Sequence, residues 1–137
     1  MKIRTGFVSN SSSSSFIINW TNLYGMSKFM SGDKIDKQKL KKWVINLILK
    51  YAKKNPPDKN SGWDKIWTEK GLEKYIKVDT VFSLHKELEY WYAPCFLNDT
   101  DIVIYGTIDN VIPYEVCKKI MKKFYLEEFA SCNLHQG

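Results

Sequence analysis

Arginine is nearly missing from this chain: Arg4 is the single one among 21 basic residues, and all the others are lysines. Base-edge and bidentate phosphate recognition favour the planar guanidinium fork, whereas a lysine ammonium is a well-hydrated point charge. The shortage argues against sequence-specific reading of nucleic acid through arginines. A chain rich in Lys, Asn and Ile and nearly free of Arg also has the composition an A+T-rich genome produces. The formal net charge of +6 speaks to association rather than to fold. Cysteine is sparse as well. Cys95, Cys117 and Cys132 are an odd number with no framework spacing, which excludes a disulfide scaffold and leaves reduced thiols of a cytosolic protein. No apolar run approaches the roughly 18 residues of a membrane span, and Lys2 and Arg4 are not followed by a hydrophobic stretch of signal-peptide length. Cytoplasm is therefore the expected compartment, with no membrane partner.

Catalytic signatures are also lacking. There is no Gly-x-Gly-x-x-Gly, no Gly-x-x-x-x-Gly-Lys-Ser/Thr, no His-Glu-x-x-His and no Gly-x-Ser-x-Gly. Cys132 and His135 form one metal-like pair, with Cys95, Cys117 and His85 scattered elsewhere. Tetrahedral zinc asks for two such pairs, so packing cysteines are the better reading and no metal or cofactor is implied. Asp99, Asp101 and Asp109 flank the strongest strand and could serve as an acid/base or divalent-ion pair. Turn chemistry explains them more simply, above all at Asp109-Asn110.

What is present suffices for one folded domain. The chain has 137 residues, 44% of them hydrophobic and 15% aromatic, enough to bury a core but too few for two domains. The expected class is α/β (α+β): a short mixed sheet packed by two or three amphipathic helices. Residues 1–15 form a serine-rich N-terminal segment and residues 16–137 the domain. Asp36 is a plausible N-cap for a helix whose apolar face runs Leu40, Trp43, Val44, Leu47, Ile48 and Tyr51, ended by Pro56-Pro57. Its other face carries Lys39, Lys42, Lys50, Lys53 and Lys54. Thr21 to Asp33 reads as an irregular connection. Trp63, Ile66, Trp67, Leu72, Tyr75 and Ile76 read as a second helical region interrupted near Thr68 to Gly71. Ser83 to Tyr92 leans to helix over strand. Asp101 to Tyr105 is a β-branched strand ending at Gly106, followed by a turn at Asp109-Asn110. A helix from Tyr114 to Glu128, with Pro113 in its first turn, directs Val116, Ile120, Met121, Phe124 and Phe129 inward and its lysines outward.

Two surfaces could carry a binding function. The lysine faces of the two helices, Lys39, Lys42 and Lys50 on one and Lys118, Lys119 and Lys122 on the other, offer contacts to nucleic acid. Trp63 and Trp67, interleaved with Lys65, could stack bases, although aromatics at i and i+4 more often pack a core.

The most distinctive string lies at the start. Ser9, Asn10 and the run Ser11, Ser12, Ser13, Ser14 and Ser15 sit between the apolar clusters Phe7-Val8 and Phe16-Ile17-Ile18. Such hydroxyls are acceptors for phosphate, sugar or ADP-ribose, and phosphates would turn a basic segment acidic. Either the serines loop between paired strands, or the first fifteen residues stand free of the fold. Arg4-Thr5-Gly6-Phe7-Val8-Ser9-Asn10 through Phe16 is similar, without a gap, to the opening of a group of uncharacterised proteins of bacteriophages and low-G+C bacteria. Ile104-Tyr105-Gly106, Asp109-Asn110, Ile112-Pro113 and the ending His135-Gln136-Gly137 also resemble members of that group. The resemblance covers about an eighth of the chain and implies a phage or prophage origin, but no chemistry. Together these features point to a non-enzymatic phage-type protein whose serine segment is recognised or modified by a macromolecular partner, in the host cytoplasm or with the virion. A lysine-rich nucleic-acid-binding protein is the alternative, and a small enzyme with an unreadable site the third reading.

Overall fold

Asp36 starts the longest element. Its carboxylate accepts from the amides of Gln38 and Lys39, both at 3.1 Å, satisfying two of the donors that a helix start leaves free. The computed structural model describes residues 15–18, 26–80, 83, 101–108 and 110–124. Helix α1 (Lys37–Lys54) buries Leu40, Val44, Ile45 and Ile48 and ends with Lys53 and Lys54 in its last turn, where cations suit the helix dipole. Helices α2 (Trp63–Ile66) and α3 (Glu69–Tyr75) follow, then α4 (Tyr114–Lys123).

The strands are β1 (Ser15–Ile18), β2 (Met30–Ser31), β3 (Lys34–Ile35), β4 (Ile76–Thr80) and β5 (Ile102–Gly106). They form a three-stranded sheet in the order β1-β5-β4 and a separate β2-β3 hairpin. The class is α+β, as the sequence indicates, with helices packed on the sheet. Both pairings of the main sheet are antiparallel, where a mixed sheet was expected. Register places Phe16 opposite Ile104, Ile18 opposite Ile102, and Val78 opposite Ile104. With Ile76, these side chains make one apolar face that joins the core of α1 and α4. The alternating residues of β5, Val103 and Tyr105, are buried too. A run buried on both faces is what the unbroken Ile-Val-Ile-Tyr reads as.

Several local expectations change. The stretch through Asp33 is regular in its described part: a 3-10 turn (Ser27–Phe29) leads into the β2-β3 hairpin, which turns at Gly32 with φ +66°. Ile76 belongs to a strand and not to the preceding helix, because β4 is held by its long-range ladder with β5. The second helical region breaks at Trp67-Thr68, and the Thr68 hydroxyl caps α3 by accepting from the Gly71 amide at 3.0 Å. Pro113 lies one position earlier than expected: it is the N-cap of α4, and its carbonyl accepts from Cys117 N–H at 2.9 Å. Phe124 caps the other end of that helix, and Asn110 adopts φ +63° in the turn before it. Of the ambiguous region 83–92, Ser83 is described, in a turn closed by its amide donating to Thr80 Oγ1 at 3.2 Å. The expectations for residues 1–14, Asp99, Asp109, Cys95, Cys132, His85, His135 and Phe129 lie outside the described residues.

Phe29, Trp43 and Phe124 close one end of the core, with ring centroids 5.3 to 5.8 Å apart. At the other end α3 lies tightly against α2. A Cβ built on Gly71 would stand 2.6 Å from the Lys65 carbonyl oxygen and closer still to that of Ile66. Gly71→Ala, which in an ordinary helix interior gains about 0.5–1 kcal/mol, is therefore expected to destabilise this protein by about 1–3 kcal/mol. Urea unfolding of the two proteins measures the sign directly.

Candidate functional site

Polar positions on α1 recur at a spacing that keeps them together. Lys39, Lys42, Lys50 and Lys53 are separated by steps of three, eight and three residues, so they share one stripe opposite Val44 and Ile48. All four are exposed. On α4 the same reasoning sets Lys118, Lys119 and Lys122 away from Val116 and Ile120, and these lysines are exposed too. Helices α1 and α4 pack side by side on the sheet, which brings the C-terminal turn of the first next to the N-terminal turn of the second.

A cleft of about 200 Å³ opens at that junction, lined by Lys50, Tyr51, Lys53, Lys54, Asn55, Glu115, Val116 and Lys119. It collects four ammonium groups against one carboxylate, that of Glu115. Among the described residues none of the four lysines has an ion-pair partner; the one ion pair there joins Lys41 to Glu73 at 2.9 Å, on another face of α1. In the last turn of α1 the Tyr51 carbonyl accepts from the Asn55 amide at 2.9 Å and from Asn55 Nδ2 at 3.2 Å. The positive charge of the cleft comes from its lysines, partly offset by Glu115 and by the negative end of the α1 dipole. Cations in excess within a concavity attract anions more strongly than the same charges dispersed over a convex surface.

Of the lysines that the sequence singles out, Lys50 and Lys119 meet here. Lys39 and Lys42 lie toward the other end of α1, Lys118 has its Nζ 4.9 Å from the ring centre of Tyr114, and Lys122 lies outside the cleft. Lys53, Lys54, Tyr51 and Asn55 are additions that sequence reasoning misses as site residues. The local signal for them is a basic last turn stopped by Pro56-Pro57, but its junction with Glu115 and Lys119 is a tertiary fact. Of the serine segment, Ser15 is described, as the first residue of β1 opposite Tyr105.

The tryptophans connect to the cleft through Tyr51. Trp67 donates its indole N–H to the Val111 carbonyl at 3.1 Å and meets Tyr51 edge-on at 5.7 Å, with the rings at 88°. Trp63 lies 5.1 Å from Trp67 with the rings tilted by 37°. Both are half-buried against the core, so packing accounts for much of their surface.

Asp101 is buried at the start of β5, and no group of three or more His, Cys, Asp or Glu able to hold a metal occurs among the described residues. Cys117 is buried in the core with its thiol 3.6 Å from the Ile112 carbonyl oxygen. No helix among the described residues is long and apolar enough to cross a membrane. The chain matches no protein-family model, no curated protein and no solved structure. Trp67→Phe keeps a ring against Tyr51 and removes the donor to Val111. Orphaning that carbonyl is expected to cost about 1–3 kcal/mol of stability in urea unfolding.

Proposed function

We propose that this is a non-enzymatic binding protein that holds the phosphate backbone of a nucleic acid in the cleft between α1 and α4. The observation that carries the reading is the set Lys50, Lys53, Lys54 and Lys119 in one concavity, with a single carboxylate and no ion-pair partner among the described residues. Lysines of this kind neutralise phosphates and release condensed counterions, so binding is strong at low salt and indifferent to base identity. The near absence of arginine fits that role, because backbone tracking needs point charge rather than a bidentate fork. Lys39, Lys42, Lys118 and Lys122 extend the basic surface along the two helices.

A second reading assigns the recognised element to the serine segment, Ser9 and Ser11 to Ser15, as the target of a macromolecular partner or modifying enzyme. Its support is positional: Ser15 opens β1, an outer strand of the described sheet. A phage or prophage origin, with action in the host cytoplasm or packaging in the virion, belongs to this reading.

For the cleft, Lys50→Ala/Lys119→Ala is expected to weaken oligonucleotide binding for every sequence tried. It should also lower the log–log salt slope by about 2, one for each phosphate left without its lysine. Lys34→Ala, on the β2-β3 hairpin, should leave the slope unchanged. Fluorescence anisotropy across a salt series measures both, and no binding at low salt refutes the proposal. For the serine segment, intact mass of protein taken from its native host should exceed the sequence mass by the added groups. An unmodified mass removes the modification version.

A further inference from the structure

Tyr51 belongs to two features at once. It lines the lysine cleft, and its ring is the first of three in the series Tyr51, Trp67 and Trp63. The middle ring is fixed by the hydrogen bond from Trp67 to Val111, a residue 44 positions away in sequence. The outer ring is held at its backbone: Gly62, at φ +85°, turns the chain into α2, and the Trp63 amide donates to Ser61 Oγ at 3.2 Å. Trp63 is half-buried, packed on Trp67 and against the core, with part of its surface accessible. Lys59 and Lys65, both exposed, flank it in sequence. A fixed aromatic ladder running out of a basic cleft is the arrangement that binds single strands, because phosphates follow the cations while an unpaired base finds a π-face.

We infer that the cleft takes single-stranded nucleic acid, with one base stacked on Trp63 beside the lysines that hold the backbone. The inference rests on the phosphate-binding reading of the cleft and adds the strandedness of the ligand. A duplex keeps its base faces stacked within the helix, so it can use the lysines but not the indole. Stacking is tolerant of base identity, in keeping with a site that has no arginine fork.

The full chain is titrated by anisotropy with a labelled oligothymidine of about 12 nucleotides, within the span that such platforms cover, and with a duplex of the same length. Inorganic polyphosphate serves as a base-free competitor. The wild type is expected to bind the oligothymidine more tightly than the duplex at matched salt. Trp63→Ala should weaken oligothymidine binding about 5- to 100-fold, the range that loss of one stacking partner produces. Its salt slope and its affinity for polyphosphate should stay those of the wild type, which also reports an intact fold. Trp63→Phe, retaining a ring, should keep most of the affinity.

Equal binding of single strand and duplex by the wild type overturns the inference. So does a Trp63→Ala protein that holds oligothymidine like the wild type, or one that loses polyphosphate in parallel. In those cases binding of polyphosphate by the wild type leaves the cleft reading standing. Failure of the wild type to bind any of the three probes at low salt removes both.

Discussion

The structure depends on the pairing of β5 along both of its edges. Ile102–Gly106 is buried throughout, so each of its backbone amides and carbonyls needs a partner within the protein. The partners come from far apart in the chain: β1 before the first helix and β4 after the third. Once both ladders form, Phe16, Ile18, Ile76, Val78, Ile102 and Ile104 stand on one face. That face is the floor on which α1 and α4 must lie. Burial of this apolar surface is the main favourable term, and the antiparallel register decides which residues share in it.

The lysine cleft is a by-product of the same packing. Both helices turn their apolar stripes to the sheet, so their lysines have to face outward. The direction of the chain then sets the end of one against the beginning of the other. Lys41 pairs with Glu73, the one ion pair among the described residues. Lys50, Lys53, Lys54 and Lys119 find no such partner among the described residues, where Glu115 is the one acid in the lining. Like charges held close raise the free energy of the unliganded protein slightly. A polyanion would relieve that repulsion, which is the electrostatic basis of the proposed binding.

The aromatic residues divide by their neighbours. Phe29, Trp43 and Phe124 enclose one another and seal the core beneath the hairpin, with Lys28 Nζ 5.3 Å from the centre of the Phe29 ring. Tyr51, Trp67 and Trp63 instead form a series that starts at a residue lining the basic cleft, with each ring partly buried. The expectation that tryptophans at i and i+4 pack a core holds for both Trp63 and Trp67, which lie partly buried against it, and the N–H of Trp67 is spent on Val111.

Local chemistry was legible wherever a few adjacent residues decide it. The Asp36 cap, the 3.6-residue apolar period of α1, the stop at Pro56-Pro57, the β-branched run of β5 and the amphipathic α4 are all written in short windows. The α+β class follows from their sum. Strand β4 was not legible, because Ile76 continues a helical spacing and becomes a strand only when β5 offers it a ladder. Gly71 has a composition signal, that of a helix breaker, but its actual role is close approach to the carbonyls of α2. Residue spacing was enough to dictate that two helices each carry a lysine face. That Lys50 and Lys119 meet while Lys39 and Lys122 do not came from packing between distant elements. Helical period governs which side of one helix a residue occupies, whereas the crossing of two helices is set by the sheet beneath them.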